Sequence, residues 1–162
     1  MVTTQIEAGI DRLQRQYIAA LDGKSMKAWF ETFADRPDSS YFCTSAENVA
    51  ADLPVTLMYD DNRARLADRV TFVEKVWAGT FQDYRTRHFI QRLTCEPLGE
   101  GRYLALTNFS VMFTPEEAGD SRLLACGVYE DEVLADESGV HFLRKRAITD
   151  TIVLPRYVVY PL

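Results

Sequence analysis

The period of the hydrophobic pattern changes near residue 84, and that change restricts the chain to one class of fold. Upstream, Ile6, Ile10, Leu13, Tyr17 and Leu21 recur at three- and four-residue steps, the stripe of an amphipathic helix ending near Asp22-Gly23. Downstream, segments 85–97, 102–114, 121–134 and 139–153 are rich in Thr, Val, Ile, Leu, Phe and Tyr and alternate in part. The short, turn-forming stretches LGEGR, TPEEAGD and ADESG separate them. Helices first and long strands second predict an α+β protein, a meander of four antiparallel strands with helices over one sheet face.

The first half fills in the helical layer. Thr4-Gln5-Ile6-Glu7 reads as a capping box at the first helix. Ser25 caps a second, short helix carrying Trp29, Phe30 and Phe33, which Pro37 stops. SSYFCT (39–44) reads as a strand, and residues 45–58, with Pro54, as an irregular surface connection. Asn62 starts a third helix, NRARLADRVTFVEKVWAG, with Leu66, Val70, Val73 and Trp77 on one face and Gly79 near its end. The tail IVLPRYVVYPL, interrupted by Pro155 and Pro161, is too apolar to be solvated and is expected to pack. With no repeat or linker in evidence, residues 1–162 read as a single domain.

Composition narrows the functions. The 162 residues are 47% hydrophobic and 12% aromatic, enough for a real core. A net charge of −6 argues against nucleic-acid binding, which needs a basic face to displace counterions. Cys43, Cys95 and Cys126 form no CxxC pair and sit in apolar, strand-like surroundings, as free, buried thiols do. The opening MVTTQIEAGIDR lacks a signal-peptide profile, and no apolar run approaches a membrane span, so a soluble, cytoplasmic protein is expected.

The motifs for cofactor chemistry are missing. A Rieske cluster needs two Cys and two His in paired motifs, whereas this chain has only His88 and His141, on different strands. Their spacing does not support a two-His iron site. No GxGxxG, GxxxxGK[ST] or GxSxG stretch occurs.

One stretch concentrates the polar chemistry that remains. YRTRHFIQRL (84–93) sets Arg85, Arg87 and Arg92 around His88. By alternation Thr86, His88, Ile90 and Arg92 share one face, and Arg87, Phe89, Gln91 and Leu93 the other. His88 can then face a pocket near Tyr17 or Trp29 as a general base, or serve as a structural histidine held between sheet and helix. The arginines 63, 65, 69, 85, 87, 92, 144 and 146, with Lys145, are matched by acids that include Asp60, Asp68, Glu130, Asp131 and Glu132. Such mixtures make solvated faces or ion pairs across a subunit boundary; a substrate-anion site is the sharper alternative.

The order of elements resembles the NTF2-like (cystatin-like) cone, in which N-terminal helices pack on a strongly curved antiparallel sheet around a pocket. NRARLADRV, RTRHFI, GVYEDEVL and FLRKRAITDT resemble the small (beta) subunit of aromatic-ring-hydroxylating dioxygenases of the benzoate/anthranilate/toluate type. Arg63, Leu66, Asp68 and Arg69 fall on that family's helix pattern, and Arg85, Thr86 and His88 on its strand pattern. The family commonly has Asn four residues after that His, where this chain has Arg92; loop 45–58 also diverges.

The resemblance implies a subunit without cofactor or catalytic centre of its own. The Rieske 2Fe-2S cluster and mononuclear iron are then expected in a large (alpha) subunit, the partner within an α3β3 hexamer whose small subunits associate as trimers. Arg63, Arg69, Arg85, Thr86, His88, Arg92, Tyr157 and Tyr160 are the interface or structural candidates. The alternative is a stand-alone NTF2-like isomerase or dehydratase with His88 as base and Tyr17 or an Asp as its partner. An open pocket with a carboxylate beside His88 would favour the enzyme, and a filled cone would remove it. A binding domain that uses the same pocket without chemistry is a third reading.

Overall fold

The computed structural model describes residues 2–117 and 119–162. Helix α1 spans Thr4–Asp22, and its cap is Thr3 rather than the expected Thr4. Thr3 is extended and its hydroxyl accepts from the Ile6 N–H at 3.3 Å, while its carbonyl takes the Glu7 N–H at 3.1 Å. Of two adjacent threonines, the earlier gains one more residue of helix. Ser25 caps α2 (Met26–Glu31), which ends well before Pro37. There the Thr32 hydroxyl donates to the Trp29 carbonyl at 2.6 Å, a local bond that competes with helix continuation.

Strand β1 (Ser40–Ser45) follows, and the 45–58 connection is more ordered than expected. Ser45 caps a short helix α3 (Ala46–Ala50), and β2 (Met58–Asp60) then pairs back on β1. Asn62 does cap the next helix, α4 (Arg63–Thr71), accepting from the Arg65 N–H at 3.0 Å. That helix passes into a π-helical turn, Phe72–Val76, instead of continuing as α-helix. Leu66 and Val73 are buried on its inner side.

The four long strands are β3 (Tyr84–Gly99), β4 (Arg102–Pro115), β5 (Arg122–Asp136) and β6 (Gly139–Thr149). β6 stops four residues short of the expected end at 153. Past it, the Thr149 hydroxyl donates to the Thr151 carbonyl and the Thr151 hydroxyl to that of Val153, so side chains take acceptors that a ladder would need. The sheet order is β2-β1-β6-β5-β4-β3. Every pair is antiparallel except β1–β6, which is parallel. Register shifts at Arg92/Thr94, Val111/Met112 and Glu132/Val133 bend the strands and curve the sheet.

The concave face closes over α1 and α2. Ile10, Leu13, Tyr17 and Leu21 of α1 and Trp29 of α2 meet Tyr41, Phe109, Tyr129, Val133 and Phe142 of the sheet, all nearly or completely buried. The aromatic rings pack edge-on, Tyr17 at 5.5 Å from Phe142 and Trp29 at 5.8 Å from Tyr41, while Phe109 stacks on Tyr129 at 4.2 Å. Among the described residues no helix is long and apolar enough to cross a membrane.

Candidate functional site

Inside the cone a buried polar cluster centres on Lys145 and Asp131, and the chain's own side chains complete it. Lys145 and Asp131 are opposite residues of β6 and β5, and both side chains are fully buried. Lys145 Nζ donates to Asp131 Oδ2 at 3.0 Å and to Gln14 Oε1 at 3.2 Å. Gln14 Nε2 in turn donates to Asp131 Oδ2 and to Thr107 Oγ1. The ammonium also sits over the rings of Tyr129 (3.7 Å), Tyr17 and Phe142 (each 4.3 Å). Desolvation lowers the Lys145 pKa to about 8, with the Asp131 charge opposing the shift; burial also pushes the Asp131 carboxyl up against the pull of Lys145.

This pair corrects the expectation that Lys145, Glu130, Asp131 and Glu132 make a solvated face. Glu130 and Glu132 do point outward, to Arg146 and to Arg102 and Arg144. Asp131 points inward because it alternates with Tyr129 and Val133. The signal was present in GVYEDEVL: an acid two residues from a buried aromatic and two from a valine lies on their face.

His88 faces inward as its alternation requires, and its partner is a carboxylate at the end of a helix. Asp22, the last residue of α1, accepts from the Thr86 hydroxyl at 2.8 Å and from the His88 main-chain N–H at 3.0 Å; His88 Nδ1 lies 2.6 Å away. Burial opposes ionisation of Asp22, but these bonds together hold its carboxyl below the ordinary range. The His88 side chain is 1% exposed and its Nε2 has no hydrogen-bond partner among the described residues. The enzyme reading is therefore met in one half: the carboxylate is in place, but the cone beside it is filled. Tyr17, the other pocket candidate, bonds instead to the Leu162 carbonyl at 2.7 Å. Burial pushes the phenols of Tyr17, Tyr41 and Tyr129 well above their ordinary range, so they stay neutral.

Most arginine candidates are spent inside the chain. Arg63 donates to the Ala34 carbonyl at 2.8 Å, pairs with Asp35 at 3.0 Å and lies over the Phe30 ring. Arg69 grips Asp60 through two bonds, 2.8 and 2.9 Å. Arg92 ties β3 to α1, with Nε 2.6 Å from Asp11 and a longer contact to Glu7. Arg85 is different: it is exposed on the outer face of β3, an edge strand, and makes no ion pair among the described residues. On the same strand Arg87 is likewise exposed, as are Phe89 (61%) and Leu93 (49%). Tyr157 is exposed and its hydroxyl accepts from the Gln82 N–H, whereas Tyr160 packs on Phe81 and Tyr84.

Nothing in the described residues gathers metal ligands: no group of three or more His, Cys, Asp or Glu is arranged to hold an ion. His88 and His141 sit on β3 and β6, with two strands between them. All three cysteines are free. Cys43 is buried, and desolvation pushes its thiol up to about 12, but Cys95 and Cys126 are only half-buried, contrary to expectation.

Comparison with known proteins agrees with this architecture. The chain is 30% identical over 139 residues to the anthranilate 1,2-dioxygenase small subunit of Burkholderia cepacia, covering 86% of this chain and 83% of that one. A crystal structure from Novosphingobium aromaticivorans, a beta subunit assigned to an aromatic-ring-hydroxylating dioxygenase, superposes with a TM-score of 0.80 at 27% identity over 92% of each chain. The beta subunit of benzoate 1,2-dioxygenase from Burkholderia mallei shares the fold, with a TM-score of 0.68 at 21% identity over 93% of each chain. With residues 17–156 matching its description throughout, the chain belongs to the ring hydroxylating beta subunit family.

Proposed function

We propose that this chain is the non-catalytic small subunit of the terminal oxygenase of an aromatic-ring-hydroxylating dioxygenase, acting in the breakdown of a benzoate-like aromatic compound. Its partner is a large subunit that carries the Rieske 2Fe-2S cluster and the mononuclear iron, and the two kinds of chain assemble as α3β3 around a trimer of small subunits. The observation that carries this reading is the filled cone. Tyr17, Trp29, Tyr41, Tyr129, Phe142 and Lys145 occupy the interior, with no more than 2% of any of them exposed, so the chain's own side chains stand where a cone enzyme would hold substrate. The outer face of edge strand β3, by contrast, offers unpaired arginines and an exposed phenylalanine to a partner.

Co-expression with a large subunit bearing paired Cys and His motifs tests the proposal. The expected outcome is one complex that co-purifies and, supplied with O2, NADH and an electron-transfer reductase, hydroxylates an aromatic carboxylate only when both chains are present. Failure to co-purify would overturn it.

The Asp22–His88 contact supports a second reading, a stand-alone isomerase or dehydratase with His88 as base. Its test is the isolated chain on enolisable or dehydratable substrates. Turnover lost in His88→Gln would favour it over the subunit.

A further inference from the structure

Two exposed surfaces at opposite edges of the sheet complement each other. One is the outer face of β3, where Arg85 and Arg87 project without an ion pair among the described residues and Phe89 is 61% exposed. The other lies at the far edge, on β2 and α4. With the strand order β2-β1-β6-β5-β4-β3, the two edges are about 24 Å apart along the sheet, at about 4.8 Å per strand. That is too far for one chain to join its own.

The far surface is a cleft of about 390 Å³ lined by Tyr59, Asp60, Arg65, Asp68, Arg69 and Phe72. Its two rings project, Tyr59 being 50% and Phe72 42% exposed. Each is braced edge-on by a neighbour, Tyr59 by Phe42 at 5.2 Å and Phe72 by Trp77 at 5.6 Å, so little side-chain freedom is left to lose on binding. The arginines of the cleft are already neutralised, Arg69 by Asp60 and Arg65 by Asp61. Asp68 is left over: it is exposed and makes no ion pair among the described residues. A carboxylate beside two projecting rings is a receptor for a guanidinium, whose fork takes the carboxylate and whose plane stacks on a ring. Leu57, two residues before Tyr59 and 56% exposed, adds apolar surface on the same side of the strand.

We infer that the occupant of this cleft is β3 of a second copy of the chain, with Arg87 entering it to meet Asp68 and Phe89 packing on Leu57. The match is in kind and in sign. β3 offers unpaired cations and a projecting phenylalanine, and the cleft offers an unpaired anion and projecting apolar groups. Because the two surfaces differ, the contact is head to tail. A copy engaged at one edge still presents the other, so association continues until a ring closes. This inference rests on the trimer of small subunits proposed above and assigns the two surfaces that join it.

Charge reversal in the full-length chain is the test, with mass measured by light scattering over a range of concentrations, alone and in the complex with a large subunit. Arg87→Asp sets two carboxylates against each other, and Asp68→Arg two guanidiniums. Each should raise the concentration for half-assembly about tenfold or more. Both substitutions in one chain exchange the pair and should restore assembly to near that of the parent. Both positions are exposed, so circular dichroism and melting should match the parent and separate lost assembly from lost fold. Where a reversal does disturb the fold, Arg87→Gln and Asp68→Asn replace it, and assembly unweakened by either overturns the inference. Single reversals that assemble like the parent, or a double variant no better than the singles, would also overturn it. So would a parent that is monomeric alone and contributes one small subunit per complex. Binding of the large subunit is read separately in the same preparations. Retained co-purification with no effect of charge reversal therefore leaves the proposed function standing and removes only this contact.

Discussion

Lys145 Nζ lies 3.0 Å from Asp131 Oδ2 in a cone where neither side chain has any exposure. Two opposite charges on facing strands have been taken out of water together, and Gln14 and three aromatic faces complete their shell. Attraction across a dry interior offsets a desolvation cost of several kcal/mol per ion only while both partners are present. Lys145→Ala or Asp131→Ala should therefore each lower unfolding free energy by about 3–5 kcal/mol. Lys145→Met with Asp131→Leu removes both charges and should lie much closer to the parent. Urea denaturation of the three variants checks this, and a double variant as unstable as the singles would refute it.

Asp22 makes the fold acid-sensitive in a defined direction. Its folded pKa is lowered, so it releases its proton more readily in the native state than in the unfolded chain. The stability it contributes is present above the ordinary carboxylate value of 3.8 and is lost as pH falls through the lower folded value. Asp22→Asn should cost about 1–3 kcal/mol at pH 7, the worth of hydrogen bonds to a charged acceptor. The gap between parent and variant should narrow as pH falls below the ordinary range. Denaturation midpoints of both proteins from pH 7 to pH 3 measure it.

The fold and the site were legible to different degrees, for physical reasons. Long strands announce themselves by composition and turns, so β3 to β6 were readable to within a few residues, and so was the helix stripe from Ile10 to Leu21. The three-residue strand β2 was not, because Met58–Asp60 is too short to show a period and is ordered by pairing with Tyr41–Cys43. Alternation placed His88 and Thr86 inward, but only tertiary structure could show that Asp22, more than sixty residues away, was waiting for them. Arg92, read as a departure from its family, is matched by Asp11 and Glu7 on α1, and helical spacing alone cannot pair a helix with a strand.

Arg92 should accordingly matter to the chain's own stability and not to its association. Its guanidinium is largely covered and meets Asp11 through two atoms, 2.6 and 3.3 Å, while the pairing with Glu7 is longer and more exposed. Arg92→Ala should cost about 1 kcal/mol, above the median for surface pairs because the geometry is bidentate. Size-exclusion elution should be unchanged. An altered oligomeric state with unaltered stability would move Arg92 to an interface.

Gly127 is required by a close approach of backbones. A Cβ there would run into the Ile148 carbonyl of the neighbouring strand β6, with Thr149 Cα only 3.0 Å away. Neither contact is with a flexible side chain, so β5 and β6 would have to separate. Gly127→Ala should cost more than about 2 kcal/mol, as overpacking against main chain does. Thermal melting reads it, and a neutral result would show that the pair can part locally.

The outer face of β3 carries the prediction that bears on assembly. Edge strands leave a row of unpaired main-chain groups, and proteins protect them with charge or cover them with a partner. Here Arg85 and Arg87 are exposed without ion pairs among the described residues, yet Phe89 between them and Gln91 is 61% exposed and Leu93 49%. Arginine beside a projecting aromatic is the composition of an interface core, whereas a protected edge would carry charge alone. Phe89 contributes nothing to the cone, so Phe89→Glu should leave the melting temperature within about a degree, the ordinary effect of a surface change. If this face meets a partner, the same substitution buries an unpaired carboxylate in the contact and should cut co-purification with the large subunit, or the size of the small-subunit assembly, at least tenfold. Complex formation equal to that of the parent would place the contact elsewhere on the molecule and leave the edge protected by its arginines alone.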